Sequence, residues 1–325
     1  MMKEKGVQVY MRKRRVNKKK RMILTLVCLI FMGALMCKAW ASVDGKVHIN
    51  KEQTKMEEEQ NKIAEEKSRQ EEEQKKIEAE QRKIEEEKKK NIVGVKAEAE
   101  KFSYDASKVA EKLSKYNYSN DGKKIVFLTF DDGTSTTVTP EILRILKEEN
   151  VKATFFLTGQ NIERGGDKAK SLIKQEFDDG HAIANHSYSH DYKILYPNRV
   201  LNLEAFKQDF NKTDKILKEV LGENFSTRVI RCPGGYMSWK GMGQLDEYLK
   251  EKNMFSIDWN ALNGDAEGKR KNAEELKNYA IKTAEGKEMV VILMHDTYGK
   301  EETAKSLPGI IKHFKNNGYE FRTLV

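Results

Sequence analysis

Cysteine is scarce, with three in 325 residues. Cys28 and Cys37 fall in one apolar run near the N-terminus. The rest of the chain holds only Cys232, which excludes an intrachain disulfide framework there. The globular part must therefore be stable through its core, and Cys232 reads as small core filler rather than as a nucleophile or soft ligand. Excess charge is also missing once the first residues are set aside. Residues 1–21 hold ten Lys/Arg and one Glu, and of the chain's 60 basic and 51 acidic residues the remainder carries 50 of each. A neutral body gives no footprint for nucleic acid, so no nucleic-acid partner is expected. Long apolar runs are lacking too, apart from Met22 to Cys37. Proline is absent between residues 51 and 100, where the only glycine is Gly94.

The apolar run follows the basic tail and is ended by Lys38. Positive charge before such a run keeps the N-terminus in the cytoplasm and sends the rest across. Lys38 can snorkel and extend the span to Val43, with Trp40 at interface depth. The expectation is a cytoplasmic tail (1–21) and a single-pass signal anchor (22–43) in the cytoplasmic membrane, with the C-terminal part extracellular. The competing reading is a cleaved signal peptide, because Ala39-Trp40-Ala41 is an A-x-A pattern, and secretion after cleavage near Ala41.

The proline-free stretch is mostly Glu, Lys and Gln. Pairs such as Glu72–Lys76 stand four apart, which favours a helix. Met56, Ile63, Ile77 and Ile84 repeat every seven positions, with Gln70 in register, but the positions three further on are all Glu. A coiled coil needs both positions apolar, so only half of a weak dimer signal is present. Residues 44–119 are read as a charged helical stalk or linker, with a disordered spacer as the alternative. A helix over 51–100 would reach about 75 Å.

From residue 120 the texture changes. Short apolar runs begin near residues 124, 153, 181, 228, 254, 289 and 319. Helical patterns lie between them near 137–149, 161–178, 202–221, 241–252, 271–285 and 303–317. Such alternation predicts an α/β domain with a parallel sheet. About seven such units suit a barrel better than an open sheet. In a barrel of this kind active residues gather at the C-terminal strand ends. Asp131-Asp132, His186 and His190, Arg231, Asp258 and Asp265, and His295 all fall at such ends.

Asp131 and Asp132 close the run Ile125 to Phe130. In strand geometry adjacent side chains point opposite ways, so one carboxylate can bind a cation while the other stays free as a base. Gly133 is expected to let the backbone turn after them. His186 and His190 are four apart, a spacing that on a helical turn puts both imidazoles on one face. With Asp132 they form a His₂Asp set that leaves coordination positions open, as in catalytic zinc sites. His295 closes the run Met289 to Met294 and is a general-acid candidate, with Asp265 or Asp296 as the carboxylate that would raise its pKa. Arg231 can grip a carboxylate bidentately, and the Pro233-Gly234-Gly235 loop exposes backbone N–H groups able to hold an oxyanion.

With these pieces in order, residues 120–325 resemble the polysaccharide deacetylases of carbohydrate esterase family 4, the NodB-homology domain. The resemblance rests on Thr129-Phe130-Asp131-Asp132-Gly133, His186-Ser187-Tyr188-Ser189-His190, Leu293-Met294-His295 and the Arg-x-Pro-x-Gly pattern at 231–235. It implies a distorted (β/α) barrel that removes N-acetyl groups from a sugar polymer. It further implies Asp131 as general base oriented by Arg231, with Asp132, His186 and His190 holding the metal. Gly234 would donate N–H to the oxyanion, and His295, tuned by Asp265, would be the acid. Zinc is the expected ion, with cobalt or nickel as alternatives. The family's Asp-x-x-Asp-Trp motif is altered here: Ala266 stands at the Trp position, and Trp259, Tyr236 or Trp239 would have to wall the sugar groove instead. Peptidoglycan N-acetylglucosamine is the expected substrate. N-acetylmuramic acid, exopolysaccharide, chitin oligomers and xylan remain open, as does a non-catalytic wall-binding scaffold that keeps the barrel.

Overall fold

The computed structural model describes residues 43–90 and 92–325. The predicted basic tail and, Val43 apart, the predicted anchor at 22–43 lie outside the described residues, as does the cleavage pattern at Ala41. Among the described residues no helix is long and apolar enough to cross a membrane. Two compact units separate at residue 90.

The first unit contains a 48-residue helix, α1 (Val43–Lys90). It holds no proline and, after Gly45, no glycine, and the predicted Glu72–Lys76 pair closes at 2.7 Å. Its length corresponds to about 72 Å.

The second unit runs in order β1 (Ile92–Val93), β2 (Ser103–Tyr104), α2 (Ala106–Ser114), β3 (Ile125–Gly133), α3 (Thr139–Glu148), β4 (Thr154–Leu157), α4 (Gly159–Asp178), β5 (Ala182–Asn185), α5 (Tyr192–Leu195), α6 (Leu203–Leu221), β6 (Phe225–Ser226), β7 (Val229–Ile230), α7 (Gly243–Lys252), β8 (Phe255–Ser256), β9 (Ala261–Leu262), α8 (Ala273–Ala284), β10 (Met289–His295), α9 (Glu301–Asn316), β11 (Glu320–Phe321) and β12 (Thr323–Leu324). Eight strands form one parallel sheet in the order β8-β7-β5-β4-β3-β10-β9, with β11 also on β3. No ladder joins β8 to β9 among the described residues, so the expected distorted (β/α) barrel of about seven parallel strands is a parallel half-barrel. The end strands have two residues each, and each pairs on one side only, β8 with β7 and β9 with β10.

The sheet is buried on both faces, which explains the continuous apolar runs. On β3, Val126, Leu128 and Phe130 face the outer core formed with the helices. Ile125 and Phe127 face the inner core, against Phe156, Val291 and Ile257. Residues two apart share a face. The inward series 125, 127, 129, 131 therefore runs from apolar side chains to Thr129 and Asp131 at the C-terminal rim.

The linker reading of 44–119 ends too late. Ile92–Val93 pairs with Phe225–Ser226, and Ser103–Tyr104 pairs with Thr323–Leu324. Val95 and Ala99 pack on Ala182, while Ala106 and Val109 are wholly buried in the inner core.

Candidate active site

The rim brings together Asp131, Asp132, His186, His190, Arg231 and His295 from four different segments. Two local expectations fail, and each failure helps to build the site. Asp132 adopts a left-handed backbone, φ 64°, and a β-bulge interrupts the β3–β4 register there. The strand alternation is thereby broken, and the two aspartates do not point to opposite sides. Asp131 Oδ2 lies 3.5 Å and Asp132 Oδ1 3.8 Å from the same atom, His186 Nε2. Gly133 is not the residue with positive φ. Its missing side chain matters because a Cβ there would stand 2.6 Å from the buried carboxylate of Asp296.

Nor do His186 and His190 ride on a helix. They sit in an irregular loop after β5, with Ser187 and His190 both at positive φ. The loop is held by side chains the sequence did not single out. Asp209 accepts from the N–H groups of Tyr188 and Ser189 at 2.8 and 3.0 Å, and Asn185 accepts from Ser187. Asn161 donates to the Asp132 carbonyl at 2.8 Å. His186 Nδ1 lies 2.8 Å from the Arg231 carbonyl, so it carries the proton and Nε2 keeps its lone pair toward the aspartates. Burial, helped by His190, pushes the His186 pKa down to about 3.

Asp132, His186 and His190 present ligand atoms within 4.8 Å of one another. Asp132 Oδ1 is buried with no hydrogen-bond partner among the described residues. A buried carboxylate oxygen left without a donor, facing two imidazole nitrogens, fits a divalent cation. These residues suit the implied metal.

Arg231 is fully buried and organises the inner face. Its Nη1 donates to Asp131 at 2.6 Å and to Thr129 Oγ1 at 2.9 Å, and its Nε donates to the Ile257 carbonyl. The guanidinium lies 4.0 Å from the centroid of Phe156 and 5.7 Å from that of Trp259. Burial raises the Asp131 pKa above the ordinary carboxylate value, and Arg231 opposes the rise.

His295 stands opposite Asp131 in the β10–β3 register. Its Nδ1 is 2.7 Å from Asp265 Oδ1, while the other oxygen, Oδ2, accepts from the His295 N–H and from Thr303. Of the two candidate partners Asp265 is thus the one in place. Asp296 turns away to Thr139, at 2.5 Å. Burial disfavours the imidazolium, but Asp265 outweighs it and lifts the His295 pKa to about 9.

Gly234 and Gly235, at φ 76° and 83°, form the loop after β7. Asp258, expected on the rim, instead accepts the Tyr236 N–H and pins this loop at 3.0 Å. A side chain at Gly234 would meet Trp239 at 3.0 Å and Tyr192 at 3.2 Å. Tyr236 and Trp259 line a cavity of about 630 Å³ with Tyr116, Tyr118 and Phe255. The Tyr236 hydroxyl is turned to Asp246. Cys232 is buried, as expected of core filler.

Comparison with known proteins agrees with this geometry. The polysaccharide deacetylase family profile matches residues 118–245. A peptidoglycan-N-acetylglucosamine deacetylase of Bacillus cereus is 34% identical over 221 residues, covering 65% of this chain and 72% of that protein. A Streptococcus mutans CE4 esterase superposes with TM-score 0.66 at 38% identity, covering 72% of this chain and 96% of the other. The catalytic domain of a peptidoglycan N-acetylglucosamine deacetylase from Eubacterium rectale gives 0.55 at 32% identity, covering 64% and 91%. The chain belongs to the polysaccharide deacetylase family and is a hydrolase of carbon–nitrogen bonds other than peptide bonds.

Proposed function

We propose that the protein deacetylates N-acetylglucosamine in cell-wall peptidoglycan, with Asp131 as base and His295 as acid. The observation that carries this reading is the direct pairing of Asp131 with His295 across β3 and β10 beside the Asp132–His186–His190 set. A base and an acid are thereby held side by side at one rim, next to a cation site. The named activities of the Bacillus and Eubacterium relatives support the sugar assignment.

A divalent cation held by Asp132, His186 and His190, with zinc the first choice and cobalt or nickel the alternatives, would supply Lewis acidity toward water and the amide carbonyl. Asp131, its carboxyl raised by burial, accepts the proton of the attacking water, and Arg231 holds it in place. The new bond joins the water oxygen to the acetyl carbon. The Gly234 N–H donates to the oxyanion that develops. His295, protonated up to about pH 9, delivers its proton to the amide nitrogen as the carbon–nitrogen bond breaks. Acetate and a free amine leave.

We extend the proposal to place. The N-terminal run would tether the chain to the cytoplasmic membrane with the catalytic unit outside, and α1 would give the reach that an immobile polymer demands. A weak dimer through the helix remains part of this reading.

The test is acetate release from acetylated glycan strands together with mass spectrometry of the muropeptides. Wild-type protein should remove one acetyl per N-acetylglucosamine, and Asp131→Asn should lose at least a thousandfold in kcat while keeping its circular dichroism. Loss of acetyl from muramic acid alone would replace the substrate, and full activity of Asp131→Asn would sink the mechanism.

A further inference from the structure

A cavity of about 680 Å³ is lined by Tyr192, Gly234 and Trp239 and shares no lining residue with the cavity of Trp259. Its wall is aromatic. Tyr196 and Trp239 stack at 4.1 Å and 7°, and Tyr192 tilts against Trp239 at 5.0 Å. Tyr192 also meets the His190 ring at 5.3 Å, so the cavity abuts the site directly. Gly234, whose N–H is assigned to the oxyanion, belongs to its lining.

The charges of this cavity are of one sign. Lys193 and Arg199 line it, and no acidic side chain does. Neither makes an ion pair among the described residues. Arg199 donates one bond, at 2.9 Å, to the Ser238 carbonyl, which orients the guanidinium and leaves further donors unused. Asn198 and Arg199 both take left-handed backbones, φ 54° and 65°. Glycine would fit such a position at less cost, so the strained arginine signals a side chain with a task. The cavity of Trp259 has the opposite character, with Glu111, Asp246 and Asp258 against Lys250 alone.

We propose that this aromatic, cationic cavity is the subsite for the sugar adjoining the reacting one, and that it selects a pyranose bearing a carboxylate. The inference rests on the deacetylase reading above. Tyr192, 43% exposed, and the half-buried Trp239 offer apolar surface to a pyranose, while the buried Tyr196 backs Trp239 from the core. Arg199 offers a planar fork matched to a carboxylate, and Lys193 adds a second charge. The acidic cavity disfavours the same group. Two glycans present this chemistry: a peptidoglycan strand whose muramic acid has lost its stem peptide and so carries a free lactyl carboxylate, and one alternating with uronic acid.

The test measures binding by calorimetry on the full chain carrying Asp131→Asn, with and without Lys193→Gln/Arg199→Gln. The ligands are chitotetraose, peptide-stripped peptidoglycan tetrasaccharide, and an N-acetylglucosamine–glucuronate tetrasaccharide. The preference for a carboxylate ligand over chitotetraose should fall at least tenfold in the double variant. Methyl-esterifying the carboxylate should give the same loss with the parent protein, a readout that needs no folded variant. The tighter of the two acidic ligands identifies the source. Equal affinity for the free acid and its ester, or equal losses for charged and neutral ligands in the variant, would overturn the subsite. Failure of wild-type protein to release acetate from any ligand would instead overturn the deacetylase reading, while the binding data would still decide the subsite.

Discussion

His295 carries a proton at neutral pH because Asp265 lies 2.7 Å from its Nδ1 and outweighs the cost of burial. An acid with a pKa of about 9 stays loaded across the working range, so the alkaline limb of kcat/KM should begin only near that value, while protonation of Asp131 sets the acid limb. Asp265→Asn removes the charge and keeps the shape. The alkaline limb should then move down by more than one pH unit, while Thr303→Ala, which leaves the charge in place, should move it much less. The stability effect has a definite sign. A pKa raised above the ordinary 6.5 stabilises the fold fully below that value, and the benefit fades as pH climbs through about 9. Melting temperatures of wild type and Asp265→Asn should therefore differ most near pH 6 and converge above pH 9. An unmoved alkaline limb would remove Asp265 from its role. At this scale the sequence was largely readable. Thr129, two residues before Asp131 and so on the same strand face, could also have been foreseen as the second anchor of Arg231. The left-handed Asp132 could not, because the bulge is set by packing against β4 and by Asp296 beneath Gly133.

Elements were legible in proportion to their length. The six helices from α3 to α9, the four-residue α5 apart, and the strands β3, β4, β5 and β10 announce themselves by apolar period. Of the two-residue strands, β7, β8 and β11 fall in the apolar runs near 228, 254 and 319, but β1, β2, β6 and β9 have no period to read. The segment before residue 120 looked like stalk for that reason: Ile92–Val93 and Ser103–Tyr104 each pair over only two residues. Its role is nevertheless structural. Gly94 accepts from the Ile183 N–H and donates to the Ser226 carbonyl, completing the backbone bonding of β5 and β6. Val95 and Val109 are both buried, and together they are worth about 3–6 kcal/mol. A chain begun at residue 118, where the family profile begins to match, should melt about 10 °C or more below a chain begun at residue 91. Equal melting points in thermal unfolding would show that the strap contributes nothing.

The whole catalytic unit holds its rim together through contacts among its own groups. His186 is fixed through the Arg231 carbonyl, the His190 loop through Asp209, and Asp132 through Asn161. None of these contacts needs a cation, and the core beneath is apolar and continuous. These contacts predict a fold that does not depend on the ion, unlike that of a structural zinc site. Chelation should abolish acetate release while far-ultraviolet circular dichroism stays unchanged. Loss of a ligand held at about a hundred times its dissociation constant costs about 2.7 kcal/mol. For a unit of this size that corresponds to a fall of about 5–11 °C in melting temperature, not to collapse. One equivalent of zinc, cobalt or nickel should restore both the melting temperature and the rate, and the ranking of the three rates would identify the preferred ion. His190→Ala should bind the ion weakly, and excess metal should raise its rate in part, because Asp132 and His186 remain. Two outcomes would contradict a preformed catalytic cation site: full turnover in the chelated protein, or unfolding at room temperature once the ion is withdrawn.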